Sequence, residues 1–165
     1  MDQQQIGEGH VTSKANNDNS NENENECQDL INTGTTSSVS SNSIDFVRCQ
    51  LSDNDVQSLM ANLLGKDTTS LSILDLSENI MHDMGAIAVA NFLEVNRTLL
   101  AVNLSNNLIS DNGAIAIAKA LSINSVVRRL DLSNNDFGLE GLQALVEALK
   151  GNTTIEELFV WDNKR

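Results

Sequence analysis

From residue 74 onward, apolar and polar residues recur in a fixed order. LDLSEN begins at 74, VNLSNN at 102, LDLSNN at 130 and LFVWDN at 158, each start 28 residues after the last. Within the first three phrases apolar residues alternate with polar ones at period two, as in Leu74-Asp75-Leu76-Ser77, the pattern of a short strand with one face buried. The second half of each period is ambiguous at first sight, because GAIAVA and GAIAIA also alternate. The matching GLQALVEALK places Leu142, Leu145 and Leu149 at helical spacing, and equivalent positions in stacked repeats share one structure. All these segments are therefore predicted helices. Self-similarity at a fixed period of this size marks a stacked array.

The array is predicted over 44–165. It opens with a degenerate copy at 44–73, two residues longer in the Gly65 to Ser70 loop, followed by copies at 74–101, 102–129 and 130–157 and a terminal strand at 158–165. One unit cannot bury its own apolar stripe, so neighbouring copies must share a core. The inward strand columns are Ile44/Leu74/Val102/Leu130/Leu158 and Phe46/Leu76/Leu104/Leu132/Val160, and the helices add Leu59/Val89/Ile117/Leu145 and Leu63/Leu93/Leu121/Leu149. Met60, Met81 and Met84 read as packing filler and loop. A structural ladder, Cys49/Asn79/Asn107/Asn135/Asn163, should turn inward where each strand bends, its carboxamides bonding the backbone of the bend and Cys49 acting as a weak donor. Asp53, Asp83 and Asp111 form a column at the helix starts, where a carboxylate accepts orphan N–H groups. Leu139 interrupts that column and predicts a poorly capped last helix. Gly85, Gly113 and Gly141 are expected to let the turn pack against the strand, with Asp55 in the glycine's place in the first copy.

Composition separates residues 1–43 from the array. This tail is rich in Asn, Gln and Ser, carries seven acidic residues against one lysine, and is predicted to be disordered because it buries too little apolar surface. Within it, Cys27 to Ile31 reads either as solvated linker or as an improvised cap with Leu30 and Ile31 over the first repeat; composition favours the linker. The formal net charge of −13, with no basic cluster, disfavours nucleic acid and anionic lipid as partners. The first residues, MDQQQIGEGH, lack the basic and apolar regions of a secretory signal, and no apolar run approaches the ~20 residues that span a bilayer. Together with two cysteines read as reduced thiols, this points to a cytoplasmic protein.

The pattern Leu-x-x-Leu-x-Leu-x-x-Asn/Cys, a glycine-opened helix with leucines four apart, then Leu-x-x-Asn, resembles the ribonuclease-inhibitor-like class of leucine-rich repeats. That class includes the repeat regions of NOD-like receptors and the Ran GTPase activators. The resemblance implies an α/β fold: a curved solenoid with parallel strands on the concave side and helices on the convex side, preceded here by the disordered tail. It implies no function by itself, since inhibitors, sensors and GTPase regulators share it.

No catalytic, cofactor-binding or metal-binding motif is present: no phosphate loop, nucleophile elbow, His pair or zinc-spaced cysteine pair. His82 beside Asp83 aligns with Ser52 and Ser110, so it reads as a loop histidine and not as a base. Function should therefore lie on the outward strand positions. One column is Asp45/Asp75/Asn103/Asp131/Phe159, the next Val47/Ser77/Ser105/Ser133/Trp161, with Arg129 beside them. Either the acidic column meets a basic protein partner, or it is solvated and Arg129 neutralises Asp131. Phe159 and Trp161 cap the last repeat, meet a further repeat, or anchor a partner; capping or self-association through the open C-terminal edge is favoured. The expected function is a non-catalytic protein-interaction module binding on its concave face. The alternatives are a GTPase-activating regulator and a fragment of a larger NOD-like-receptor-type protein.

Overall fold

The computed structural model describes Cys27, Ile31, residues 42–65 and residues 68–164. The expected tail disorder thus falls almost wholly outside the described residues. In the array each period forms one strand and one helix. These are β1 (Ser43–Asp45), α1 (Asp53–Leu64), β2 (Ile73–Asp75), α2 (Asp83–Val95), β3 (Ala101–Asn103), α3 (Asp111–Leu121), β4 (Arg129–Asp131), α4 (Leu139–Leu149) and β5 (Glu157–Phe159). The ambiguous GAIAVA and GAIAIA segments are helical, inside α2 and α3. The strands lie in chain order in one parallel sheet, in register copy for copy: Leu74 opposite Val102, Val102 opposite Leu130, Leu130 opposite Leu158. Each strand has only three residues and starts one residue before the inward apolar residue, which serves as its centre.

The core lies between sheet and helices and runs unbroken along the array. Leu74, Leu76, Val102, Leu104, Leu130 and Leu132 are buried on the strand side, and Leu59, Val89, Ile117 and Leu145 on the helix side. Met60 and Met81 are buried with them, whereas Met84 is exposed. Among the described residues no helix is long and apolar enough to cross a membrane.

Two expectations for the N-terminal end are corrected. Cys27 and Cys49 form a disulfide, Cα–Cα 6.0 Å. Cys49 therefore does not act as a reduced donor in the ladder, and reduced thiols no longer argue for a reducing compartment. Ile31 is not solvated linker: its side chain is buried in the core, and its carbonyl accepts a 2.7 Å hydrogen bond from Asn62 Nδ2. The covalent tie and this contact lay Cys27 and Ile31 against the first repeat, where apolar surface would otherwise stand open.

The helix starts are joined across repeats. Asp53 Oδ1 accepts the N–H groups of His82 (2.8 Å) and Gly85 (2.9 Å), at the start of the next helix, α2. Asp83 does the same for Ser110 (2.7 Å) and Gly113 (3.1 Å) at α3, and Asp111 for Gly138 (2.8 Å) and Gly141 (2.7 Å) at α4. Each aspartate, at the first position of its own helix, caps its successor. α4 is consequently capped in full although Leu139 stands in its own aspartate position. α1 caps itself, with Asp55 Oδ2 accepting from the Ser52 N–H (2.9 Å) and hydroxyl (2.6 Å). The glycines serve the same joint. A Cβ on Gly113 would stand 2.5 Å from Ile109 Cγ2 in the turn of its own repeat, 2.8 Å from Asp83 Oδ1 and 3.0 Å from Ala86 Cβ, so the close approach is to that turn and to the preceding helix with its carboxylate.

Candidate functional site

The first four strands end where the last residue turns its side chain back on the chain; β5 ends in Phe159, which has no such acceptor. Asp45, Asp75, Asn103 and Asp131 accept, through Oδ1, the N–H two residues on, at 3.1, 2.9, 3.1 and 2.9 Å. This is an Asx turn, which gives the backbone an alternative to the ladder. Ser77 and Ser133 also donate their hydroxyls to these carboxylates at 2.6 Å. The serine column expected on the outer surface is thereby buried: Ser77, Ser105 and Ser133 are all below 10% exposed. The residue after it adopts a left-handed conformation in every copy, with φ of 59° at Arg48, 56° at Glu78, 53° at Asn106, 52° at Asn134 and 53° at Asp162.

Immediately beyond the bend stands the asparagine ladder. Asn107 Nδ2 donates to the carbonyls of Leu76 (3.0 Å), Leu104 (3.1 Å) and Ser105 (3.2 Å), and Oδ1 accepts from Met81 N (3.2 Å). Asn79 and Asn135 repeat this arrangement, both buried, and half-buried Asn163 extends it to the last strand. Cys49, at the head of the column, is occupied by its disulfide instead. A second ladder lies on the opposite rim. Asn124 Nδ2 donates to Leu93 O (2.8 Å) and its Oδ1 accepts from Val126 N and Val127 N (both 2.9 Å); Asn152 does the same one period later. Its sequence signal was the Asn closing each Leu-x-x-Asn, to which the sequence alone assigned no role.

These fixtures hold the concave surface still. Asp45 stands opposite Asp75 in register, Asp75 opposite Asn103, and Asn103 opposite Asp131. Asn103 Nδ2 donates to Asp75 Oδ2 at 3.0 Å, so a neutral donor separates the two carboxylates that flank it. Asp75, Asn103, Arg129 and Asp131 line a hollow of about 300 Å³ floored by Leu74 and Val102, with Ile73 and Ala101 at its side. Asp45 lies beyond it, on the first strand. Arg129 does not neutralise Asp131. Its Nη1 lies 2.7 Å from Glu157 Oε2, and its guanidinium carbon 4.7 Å from the centre of the Phe159 ring. Phe159 in turn meets Trp161 edge to face, centroids 4.9 Å apart at 75°, and the Trp161 side chain is half exposed. Arg48 is held by Glu78.

This surface offers fixed carboxylates, an amide and an aromatic pair. His82 is an exposed loop residue whose N–H meets Asp53. Among the described residues no group of His, Cys, Asp or Glu converges to hold a metal ion.

A family profile described as Leucine Rich repeat matches residues 95–118 and 124–146. No curated protein sequence matches the chain. Among solved structures, that of the leiomodin-1 Actin-Binding Site 2 superposes with a TM-score of 0.69 at 22% identity, covering 82% of this chain and 77% of that one. The tropomodulin C-terminal domain of Caenorhabditis elegans superposes with a TM-score of 0.66 at 12% identity, covering 83% and 81%. At such identities the likeness bears on the fold.

Proposed function

Since this chain is a leucine-rich-repeat protein, we propose that it works as a non-catalytic interaction module whose concave face holds a protein partner bearing basic side chains. The observation that carries this reading is the column Asp45, Asp75 and Asp131 on a rigid parallel sheet, with both arginines of that face already paired, Arg48 to Glu78 and Arg129 to Glu157. An acidic surface whose own cations are engaged elsewhere favours a cationic partner and speeds its encounter. Trp161 supplies an exposed ring beside it, suited to anchor a contact. The leiomodin structure of the same fold is named for binding actin, which makes actin the first partner to test.

The test is binding of the full chain to actin and to a panel of basic proteins, followed by Asp45→Asn with Asp131→Asn, whose carboxylates, among the described residues, accept only from their own turns. Asparagine keeps the Asx-turn acceptor and removes only the charge. Binding should weaken at least tenfold with the melting temperature unchanged. Undiminished binding by the double variant, or no binding of any basic protein by the parent, refutes the reading. A GTPase-activating role lacks comparable support, because the arginines it would need are paired, and no acceleration of phosphate release is expected from small GTPases.

A further inference from the structure

The inner helices present small residues to the helices that follow them. Ala86 of α2 and Ala114 of α3 are buried, and a Cβ on the next helix's glycine would stand 3.0 Å from the first and 2.8 Å from the second. Ala90 and Ala118, one turn on along the same side, are buried as well. One period later α4 carries Leu142 and Val146 in these places, and Leu139 where Asp83 and Asp111 stand. Leu142 would occupy the space that a following repeat's glycine needs, and Leu139 offers no acceptor for its N–H groups. The open side of α4 is therefore not shaped for another copy of this repeat. It is apolar nonetheless: Leu139, Leu142 and Val146 are 68, 38 and 53% exposed and border a hollow of about 590 Å³.

We infer that this side is a two-fold interface between two copies of the chain. Leu139, Leu142 and Val146 are spaced three and four apart, the spacing of a seam that one helix packs against another like itself. Charge selects the direction. With the two α4 helices antiparallel, Lys150 just past one C-terminus, which lies against the exposed Glu147 of its own helix, also meets Glu140 in the first turn of the other; a parallel pair would set Glu140 against Glu140. The same axis lays β5 beside the β5 of the second copy. Leu104 and Leu132 donate their N–H groups to the following strand at 2.9 and 2.8 Å, whereas Val160, next in that column, has no strand beyond it among the described residues. A paired β5 edge gives that donor a partner. The tail is a poor occupant of this face: residues 1–26 offer only Met1, Ile6 and Val11 as large apolar side chains, and Cys27 ties the segment to the far end of the array. One helix face and one strand edge make a small interface, so association in the micromolar range is expected.

Sedimentation velocity of the full chain across the micromolar range tests this. The mass should rise with concentration from one chain to two. Leu142→Glu with Val146→Glu should leave a monomer of unchanged melting temperature. Lys150→Glu should weaken the dimer severalfold, and Glu140→Lys added to it should restore association, a readout that holds even if the glutamate pair fails to fold. A monomer at every concentration, a dimer indifferent to the two glutamates, or a charge reversal without rescue each overturns the inference.

Discussion

Asp83→Ala separates a carboxylate that caps its own helix from one that caps the next. Asp83 is the first residue of α2, so a carboxylate serving its own helix start would also cost about 0.5 to 2 kcal/mol on truncation, and it is the location of the loss that tells the two roles apart. In the structure the carboxylate accepts from Ser110 N (2.7 Å), Gly113 N (3.1 Å) and Ser110 Oγ (2.6 Å), all in the following repeat. Losing a cap costs about 0.5 to 2 kcal/mol, and leaving part-buried donors unpaired adds to that. We expect a net loss of about 2 kcal/mol, a fall in Tm of roughly 4–8 °C for an array of this size. Burial alone would raise the Asp83 carboxyl, but the Ser110 hydroxyl, the N–H groups of Ser110 and Gly113 and the Asn112 side chain together hold it below the usual carboxylate range. A folded pKa below the unfolded one contributes stability that is present above the unfolded value and is lost as pH falls through the folded one. Asp83→Asn should accordingly shrink the acid loss of stability below about pH 4, the ordinary aspartate value. Amide exchange locates the effect. In Asp83→Ala, protection should drop at Ser110 and Gly113 and persist at Gly85 and Ala86. A drop confined to Gly85 and Ala86, or a stability change within about 0.5 kcal/mol, would refute capping across repeats.

Asn107→Ala leaves the Met81 N–H unpaired in a buried bend and takes one of two donors from the carbonyls of Leu76, Leu104 and Ser105, which keep Asn79, Asn135 and the Glu78 N–H; it should cost about 2 kcal/mol, while Asn106→Ala, an exposed neighbour at φ 53°, should cost about 1 kcal/mol through left-handed strain that Asn106→Gly removes; equal shifts in denaturation midpoint would contradict both assignments. Gly113→Ala, whose Cβ would lie 2.5 Å from Ile109 Cγ2, should cost about 1–3 kcal/mol, against no measurable change for Gly151→Ala, which meets nothing within 4 Å. Reducing the Cys27–Cys49 bond, which closes a loop of sequence separation 22, should lower stability by about 3 kcal/mol; an unchanged melting temperature in dithiothreitol would show that the tie does not constrain the chain.

The columns were legible in the sequence because a leucine or asparagine that recurs at a constant interval must meet the same surroundings each time. Strand centres, buried helix positions and the ladder at Asn79, Asn107 and Asn135 follow from that alone. The serine column misled because period-two alternation continues on paper through Ser77, Ser105 and Ser133, whereas the chain leaves the strand at Asp75, Asn103 and Asp131 and the Asx turn swings the serines inward. Cys27 and Ile31 lie outside any repeat, so no column foretells the bond to Cys49 or the burial of Ile31.

The direction of capping was illegible for a different reason. A column of aspartates before successive helices looks the same whether each serves its own helix or the next, since a shift by one period maps the column onto itself. Only the ends break that symmetry, and they do so here. The glycines that admit the incoming carboxylate begin at Gly85 and end at Gly141, while the aspartates that supply it begin at Asp53 and end at Asp111. The two columns are displaced by one copy. The first helix has an aspartate to give and, with Asp55, no glycine to receive; the last has Gly141 to receive and, with Leu139, nothing to give. Each interface between repeats is thus completed by one residue from either side, so a capping variant in one repeat should loosen the next and leave its own helix intact.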